Sequence, residues 1–455
     1  MASIGGTHRT IVATHCRAAI SACYTMGVPG ARAAAWARAP RPHRVARDYA
    51  VVAGDDRAAL TELGPAAAAL FEEVATPRTV DELVEWLDLD DPAGLESMIG
   101  ELHDGGVLTP DGRPTTAGSL SGVRVEVRDD PRGVVLAHGL CRHAPVVIDD
   151  PLEAFELVAW AMEQRVVPLL AQAVHDGAVI VPPSTVDVVI ERDRAVQQSA
   201  VVLETELLAV AGVFDEAGLE FIVLKGLATG HLDHPSPAWR QTSDVDLLLS
   251  SDDVATAARL LLDQGARPVV SDEISTIAKA TTVGMPGGVE IDLHARPVML
   301  PYGAADLLPT VPCEIGAVSL RSLDRPDRWA NAVAHYALSS SEYRRASALR
   351  DALATWPAPE EYSMWDDTIG RWRATTLLRV VAHDLAELGI ALADPEWLAR
   401  HTRSRPRWYE RELAKTRTPG PALHWAGPLA VLGWRDRARH LGLMAEARRS
   451  RTRGR

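Results

Sequence analysis

Cysteine is scarce in this chain: four in 455 residues, Cys16, Cys23, Cys141 and Cys313, with no C-x-x-C pair among them. That excludes a disulfide scaffold and a paired-thiolate zinc ribbon. His138, Cys141 and His143 offer three metal-ligand types in a short stretch, but no fourth lies in range, and an ordinary strand and turn accounts for them. Lysine is scarcer still, three against 44 arginines, a bias that reads as coding preference rather than phosphate recognition and makes each lysine worth inspecting. One of the three is Lys225. No window approaches 18 uninterrupted apolar residues, which argues against a membrane-spanning helix. The Ala/Arg-rich opening, with His8, Arg9, His15 and Arg17, lacks the clean apolar run of a secretory signal, so a cytoplasmic protein without membrane partners is expected.

What is present is an ordinary globular balance, 47% hydrophobic and 24% charged, long enough for two to four domains. The net charge of −14 is unevenly spread: residues 401–455 carry fourteen Arg/Lys and four Asp/Glu, about +10, leaving about −24 elsewhere. A basic tail can meet a polyanion, but a solvated helical face with an Arg-rich end is the simpler reading.

Residues 1–43 show no sustained period, end near Ala-Pro-Arg-Pro (39–42), and are expected to be a flexible segment. From 44 to 110 a small module follows. Tyr49–Val52 and Ala58–Leu63 read as strands about a Gly54-Asp55-Asp56 turn. Gly64-Pro65 opens a helix carrying Leu70 and Phe71, the capping box Thr79-Val-Asp-Glu82 opens a second with Leu83, Trp86 and Leu87, and Leu95, Ile99 and Leu102 mark a third. Strands plus three short helices make a winged-helix-like unit. It is acidic, with Glu72, Glu73, Asp81, Glu82 and Glu85 among its carboxylates, and so disfavours nucleic acid. Residues 121–150 alternate through Val123, Val125 and Val127, then Val134-Val135 and Val146-Val147, so 111–150 is expected to form connecting strands. From Leu152 the chain reads as helical to about Ala217, with Leu203, Leu207, Val210 and Phe214 as a buried stripe, and again from 324 to 415.

The chemistry is concentrated in 219–296. Phe221-Ile-Val-Leu224 is a buried strand running into Lys225-Gly226, where a glycine admits a close backbone approach and a lysine adds a point charge. Arg240-Gln-Thr-Ser243-Asp244-Val-Asp246-Leu-Leu-Leu249 follows, placing Asp244 and Asp246 on one face of a strand. Two adjacent carboxylates repel unless a cation lies between them, which suits Mg²⁺ and oxygen ligands. Ser250 and Asp253 then cap a helix from Val254 to Gln264, closed by Gly265. A further strand, Gly288 to His294, sets Glu290, Asp292 and His294 on a common face, and a third carboxylate beside the D-x-D pair would complete a two-metal site.

Two resemblances rest on these residues. The pattern Ala59-Leu-Thr-Glu-Leu-Gly64, Leu70-Phe71, Arg78 to Val84 and Leu102 to Leu108 resembles PqqD-like peptide-recognition domains of pathways that modify ribosomally made peptides. By that resemblance a leader peptide adds to the edge strand at 58–63 and lies beside the third helix. The series Leu224-Lys225-Gly226, Arg240, Ser243-Asp244-Val-Asp246 and Asp292-Leu-His294 resembles the nucleotidyltransferase superfamily of the DNA polymerase β type, over about 152–415, including Arg165 to Leu170 before the core and Ala330 to Asp351 after it. It implies an α/β (α+β) fold. A winged-helix-like PqqD domain (44–110) precedes connecting strands (111–150), a nucleotidyltransferase core (151–323), a helical C-terminal domain (324–415) and a basic tail (416–455). It also implies Asp244, Asp246 and Asp292 as catalytic metal ligands for two Mg²⁺ ions. Lys225, Gly226, Arg240 and Ser243 would lie around a nucleoside triphosphate, with Glu290 and His294 outside the ligands. Lys-Gly stands where Gly-Ser is usual in the superfamily, and the spacing to D-x-D is longer than usual.

These implications favour a Mg²⁺-dependent enzyme that moves a nucleotidyl group onto a hydroxyl or phosphate oxygen of a ribosomally made peptide. A nucleotide-sugar donor at the same site, a non-catalytic precursor-peptide scaffold and an antitoxin-like transferase acting on tRNA or protein are the alternatives.

Overall fold

A computed structural model describes residues 125–403 apart from 142, 270–279, 298–299, 301–306, 317, 340–343 and 393–394, together with short strands and scattered helical residues between 37 and 109, and residues 438 and 441. Most of the expected flexible segment, Thr79 to Asp81 of the capping box, Trp86 and Leu87, and nearly all of the basic tail lie outside the described residues; within 1–43, residues 37–38 and 43 lie in strands. The chain divides into two compact units, one formed by 1–117, 197–208 and 314–319, the other by 118–196, 209–313 and 320–455.

In the first unit, strands β1 (Ala37–Arg38) and β5 (Leu108–Thr109) pair antiparallel. Between them β2 (His43–Ala46), β3 (Tyr49–Ala53) and β4 (Leu60–Leu63) form an antiparallel sheet in that order, so β4 is an edge strand. Period two puts Ala50, Val52 and Leu63 on one face, and these share a buried core with Ala68, Leu70, Phe71, Leu83, Leu95, Ile99 and Leu102. The described residues among the last seven are helical.

The second unit opens with β6 (Val125–Val127) and then departs from the alternating-strand expectation. Pro131–Ala137 is a helix, α1, and Val134-Val135 lie within it, buried. Asp130 is the cause: its side chain accepts from the Arg132 amide at 2.9 Å, and Pro131 stands at the first helical position, where its missing N–H costs nothing. Val146–Val147 is a strand (β7), pairing parallel with β8 (Val179–Ile180). Helices α2 (Pro151–Glu163), α3 (Val167–His175) and α4 (Pro183–Glu216) follow. The predicted stripe Leu203, Leu207, Val210 and Phe214 on α4 is buried. By length and composition α4 is apolar enough to cross a bilayer; half of its most apolar window is buried inside the protein, as in a core helix.

The central sheet has seven strands in the order β11-β12-β13-β10-β9-β15-β14. They are β9 (Phe221–Val223), β10 (Val245–Leu249), β11 (Arg267–Pro268), β12 (Ala280–Gly284), β13 (Glu290–His294), β14 (Thr310–Ile315) and β15 (Val318–Leu323). Helix α5 (Lys225–Asp233) leaves the end of β9, and α6 (Val254–Asp263) follows β10. All five residues of β10 are buried, as befits a central strand, and it runs antiparallel to β9 but parallel to β13.

The C-terminal helices α7 (Arg325–Leu338), α8 (Ala346–Ala354), α9 (Tyr362–Trp372), α10 (Thr375–Glu387) and α11 (Pro395–Thr402) pack around α7, with α7 and α8 also against α5. Their core is aromatic. Trp397 stacks on Tyr362 with ring centres 4.6 Å apart and stands 6.2 Å from Trp329 and 6.0 Å from Trp356. Two buried bidentate ion pairs tie this region to α5 and to the segment before β10. Arg328 on α7 donates through Nε and Nη2 to Asp233 at 2.7 Å each, and Arg240 donates through Nε and Nη2 to Asp351 on α8 at 2.7 and 2.8 Å.

Candidate active site

The parallel pairing of β10 and β13 sets Asp246 opposite Asp292. In neighbouring strands of matching register, side chains at paired positions project on the same side, so two carboxylates are forced together by backbone geometry alone. His294, two residues along β13, joins them: ligand atoms of Asp246, Asp292 and His294 all lie within 4.8 Å of one another. His294 Nε2 donates to Asp246 Oδ1 at 2.7 Å, and Thr282 Oγ1, from the register partner of Asp292 on β12, donates to Asp292 Oδ1.

The lysine at the end of β9 closes the cluster. Lys225 Nζ donates to the same Asp246 Oδ1 that receives His294, leaving Oδ2 outside these two bonds. Lys225 holds φ +51°, a left-handed conformation that costs about 1–2 kcal/mol for a side chain with a Cβ. Gly226 makes the turn by proximity rather than by φ: a Cβ there would stand 2.9 Å from Thr242 Oγ1 and 3.1 Å from Thr242 Cγ2.

Electrostatically the two aspartates of D-x-D part company. Burial pushes the Asp246 carboxyl up, but the Lys225 ammonium and His294 outweigh it and hold Asp246 far below the usual carboxylate range. Burial would likewise lower the Lys225 ammonium, and Asp246 reverses this and raises it. Asp244 is pushed up, first by burial and then by the Asp246 charge, against the opposing pull of Lys225 and Ser243.

The expected residues are therefore distributed as follows. Asp246 and Asp292 meet. Asp244 precedes the first strand residue, Val245, so strict alternation does not govern it; it receives Ser243 Oγ at 2.9 Å and stands outside the tight cluster, while remaining charge-coupled to Asp246, Lys225 and Asp292. His294, expected to lie outside the ligands, is inside the cluster. Glu290 sits exposed at the start of β13. Arg240, expected beside a triphosphate, is buried and committed to Asp351, with Nη1 donating to Gln241 O. Ser243 Oγ accepts from Arg165 Nη1 at 2.5 Å, a contact across 78 residues of sequence that the motif reading does not contain. The other candidate set is dispersed among internal partners: His138 Nε2 meets Asp176 at 3.0 Å and its ring stacks on Trp239, while the Cys141 thiol faces Ala137 O at 4.0 Å.

The donor set fits a divalent cation: two carboxylates and one imidazole converge, Asp246 keeps an oxygen outside its internal bonds, and a third carboxylate stands close by. A cation held there supplies charge neutralisation for a phosphoryl group and a lowered barrier to deprotonating an attacking oxygen. Asp246 and Asp292 would hold it, with His294 and Lys225 orienting Asp246.

No curated protein matches the chain. Solved structures with a distant likeness include the following two. One is an antigenic nucleotidyltransferase-like protein from Paracoccidioides brasiliensis, 16% identical over 41% of this chain and 91% of that one, with a TM-score of 0.28. The other is the antibiotic-resistance factor ANT(2'')-Ia, 12% identical over 40% of this chain and 96% of that one, with a TM-score of 0.27. The family model described as "Uncharacterised nucleotidyltransferase" matches residues 150–383, a stretch that holds every residue of the carboxylate cluster, and with more than half its length so matched this chain belongs to that nucleotidyltransferase family and is a transferase.

Proposed function

We propose that the protein is a divalent-metal-dependent nucleotidyltransferase, with Mg²⁺ as its working ion, that takes a nucleoside triphosphate and places its nucleotidyl group on an oxygen of a ribosomally made peptide, forming the bond to the α-phosphorus as the bond to pyrophosphate breaks and pyrophosphate leaves. The observation that carries the metal-dependent part is the Asp246–Asp292 register with His294 beside it, because two carboxylates held side by side, with one oxygen of Asp246 outside its bonds to Lys225 and His294, form an oxygen-donor set suited to a divalent cation. Asp292 accepts from Thr282 rather than from the lysine, which supports assigning it the acceptor's proton. Support for a peptide acceptor is the PqqD-like pattern of 44–110, an edge strand at Leu60–Leu63 suited to strand addition, and the carboxylates of that stretch.

The test is intact-mass analysis of candidate peptides incubated with the full-length protein, each of the four ribonucleoside triphosphates, and Mg²⁺. A gain of one nucleoside monophosphate, lost on chelation and in Asp246→Asn or Asp292→Asn, is expected. Nucleotide transfer to a non-peptide acceptor alone would remove the peptide from this reading and keep the chemistry.

A further inference from the structure

Three basic side chains stand around the carboxylate cluster, and the structure gives them unequal freedom. Lys225 is spent on Asp246, and all three nitrogens of Arg240 are engaged, two with Asp351 and one with a backbone carbonyl. Arg165 differs. It is exposed, and its recorded partner among the described residues is the neutral hydroxyl of Ser243, which in turn donates to Asp244. A guanidinium carries five N–H donors in a planar fork, so most of this one is uncommitted at the rim of the site.

Its mounting is unusual as well. Arg165 occupies the corner between α2 and α3 with φ +57°. Elsewhere in the described chain seven glycines take positive φ, and only three other residues do: Arg165, Lys225 and Arg373. Two of those three meet the D-x-D segment through their side chains. The corner is fixed on both sides. Val166 and Val167 are buried, Val166 N donates to Ala161 O at 2.9 Å, and the neighbouring Gln164 accepts Ala346 N through its side chain at 3.0 Å and Ser347 N through its carbonyl at 3.2 Å. Glycine would fit this corner without strain, so an arginine here points to work done by the side chain.

We propose that Arg165 binds the terminal phosphates of the nucleoside triphosphate, resting on Ser243 until the nucleotide arrives; the proposal builds on the nucleotidyltransferase reading above. A fork-shaped cation one hydroxyl away from Asp244 meets the need of a triphosphate, whose outer oxygens carry charge beyond what a cation at Asp246 and Asp292 neutralises. The role expected from sequence for Arg240 passes to a residue 75 positions earlier that is free to perform it.

The decisive variant is Arg165→Gly, because glycine tolerates φ +57° and folding is not put at risk. Calorimetric titration of the full-length protein with each ribonucleoside triphosphate and Mg²⁺, and with the matching monophosphates, reads the effect. Arg165→Gly should weaken triphosphate binding at least tenfold, leave monophosphate binding within about twofold, and melt at or above the parent's temperature. Arg165→Lys should recover only part of the loss, since it restores charge but not the fork. Equal triphosphate affinity in Arg165→Gly and parent would overturn the role of Arg165 while leaving the nucleotide reading intact. Equal loss for both nucleotide classes, or a lowered melting temperature, would make the residue a structural corner and overturn it too. A parent that binds no triphosphate at all would fail the underlying reading, and this proposal with it.

Discussion

At the scale of single residues, Asp244 and Asp246 are a matched pair with opposite energetics. Asp246 has a lysine and a histidine on one oxygen; Asp244 has a serine hydroxyl and a nearby negative charge. Asp246→Asn therefore strands the Lys225 ammonium and should cost about 3–5 kcal/mol, the usual range for breaking one half of a buried pair. Asp244→Asn relieves repulsion and should melt level with the parent or higher. Thermal melts in chelator test the split, and equal shifts in both variants would contradict the pairing. The sequence shows both aspartates and the lysine, because strand period and the Lys-Gly step are local. Which aspartate the lysine chooses depends on how β9 lies against β10, and no local pattern encodes that. Arg165 left a fainter trace: a helix ends at Glu163 and another begins at Val167 with no glycine between them to turn the corner.

At the scale of elements, the junction of β9 and α5 is built on contact between Gly226 and Thr242. Gly226→Ala forces its methyl onto a buried threonine and should cost about 1–3 kcal/mol by overpacking. Thr242→Ala in the same chain removes both clashing atoms and should restore most of the loss, which urea unfolding of the single and double variants would show. The strands β3, β4, β9, β10 and β13 were readable from alternation and apolar runs, and α4 from its stripe within a stretch read as helical from Leu152. Helix α1 was not, because Val134-Val135 mimics a strand while the Asp130-Pro131 start signal lies just upstream.

At the scale of the whole molecule, long-range ion pairs join segments that sequence keeps far apart. Arg240 and Asp351 are 111 residues distant, and His234 Nε2 adds a 3.4 Å contact to the same carboxylate. Burial raises and Arg240 with His234 more than reverse, so Asp351 is held well below its ordinary value, whereas burial lowers His234. Both signs lead the same way. Below about pH 6.5 the unfolded chain protonates His234 and the folded chain resists; below about pH 4 the same holds for Asp351. Stability should thus fall in two steps on acidification, and His234→Gln should flatten the upper one in urea midpoints measured from pH 7.5 to 5. Deleting residues 44–110 should raise the apparent KM for a full-length precursor and spare any leaderless acceptor; unchanged KM would make that stretch structural. Such pairings escape a sequence reading because charge complementarity between distant positions has no period to detect.

The indole cluster of Trp329, Trp356 and Trp397 has an optical consequence. Rings about 6 Å apart in a dry interior emit at short wavelength and exchange excitation, so the C-terminal helices carry their own fluorescence reporter. Because twelve tryptophans emit, the part of the emission that Trp397→Phe removes is the part that reports on these helices, which bear Arg328 and Asp351, the partners of Asp233 and Arg240.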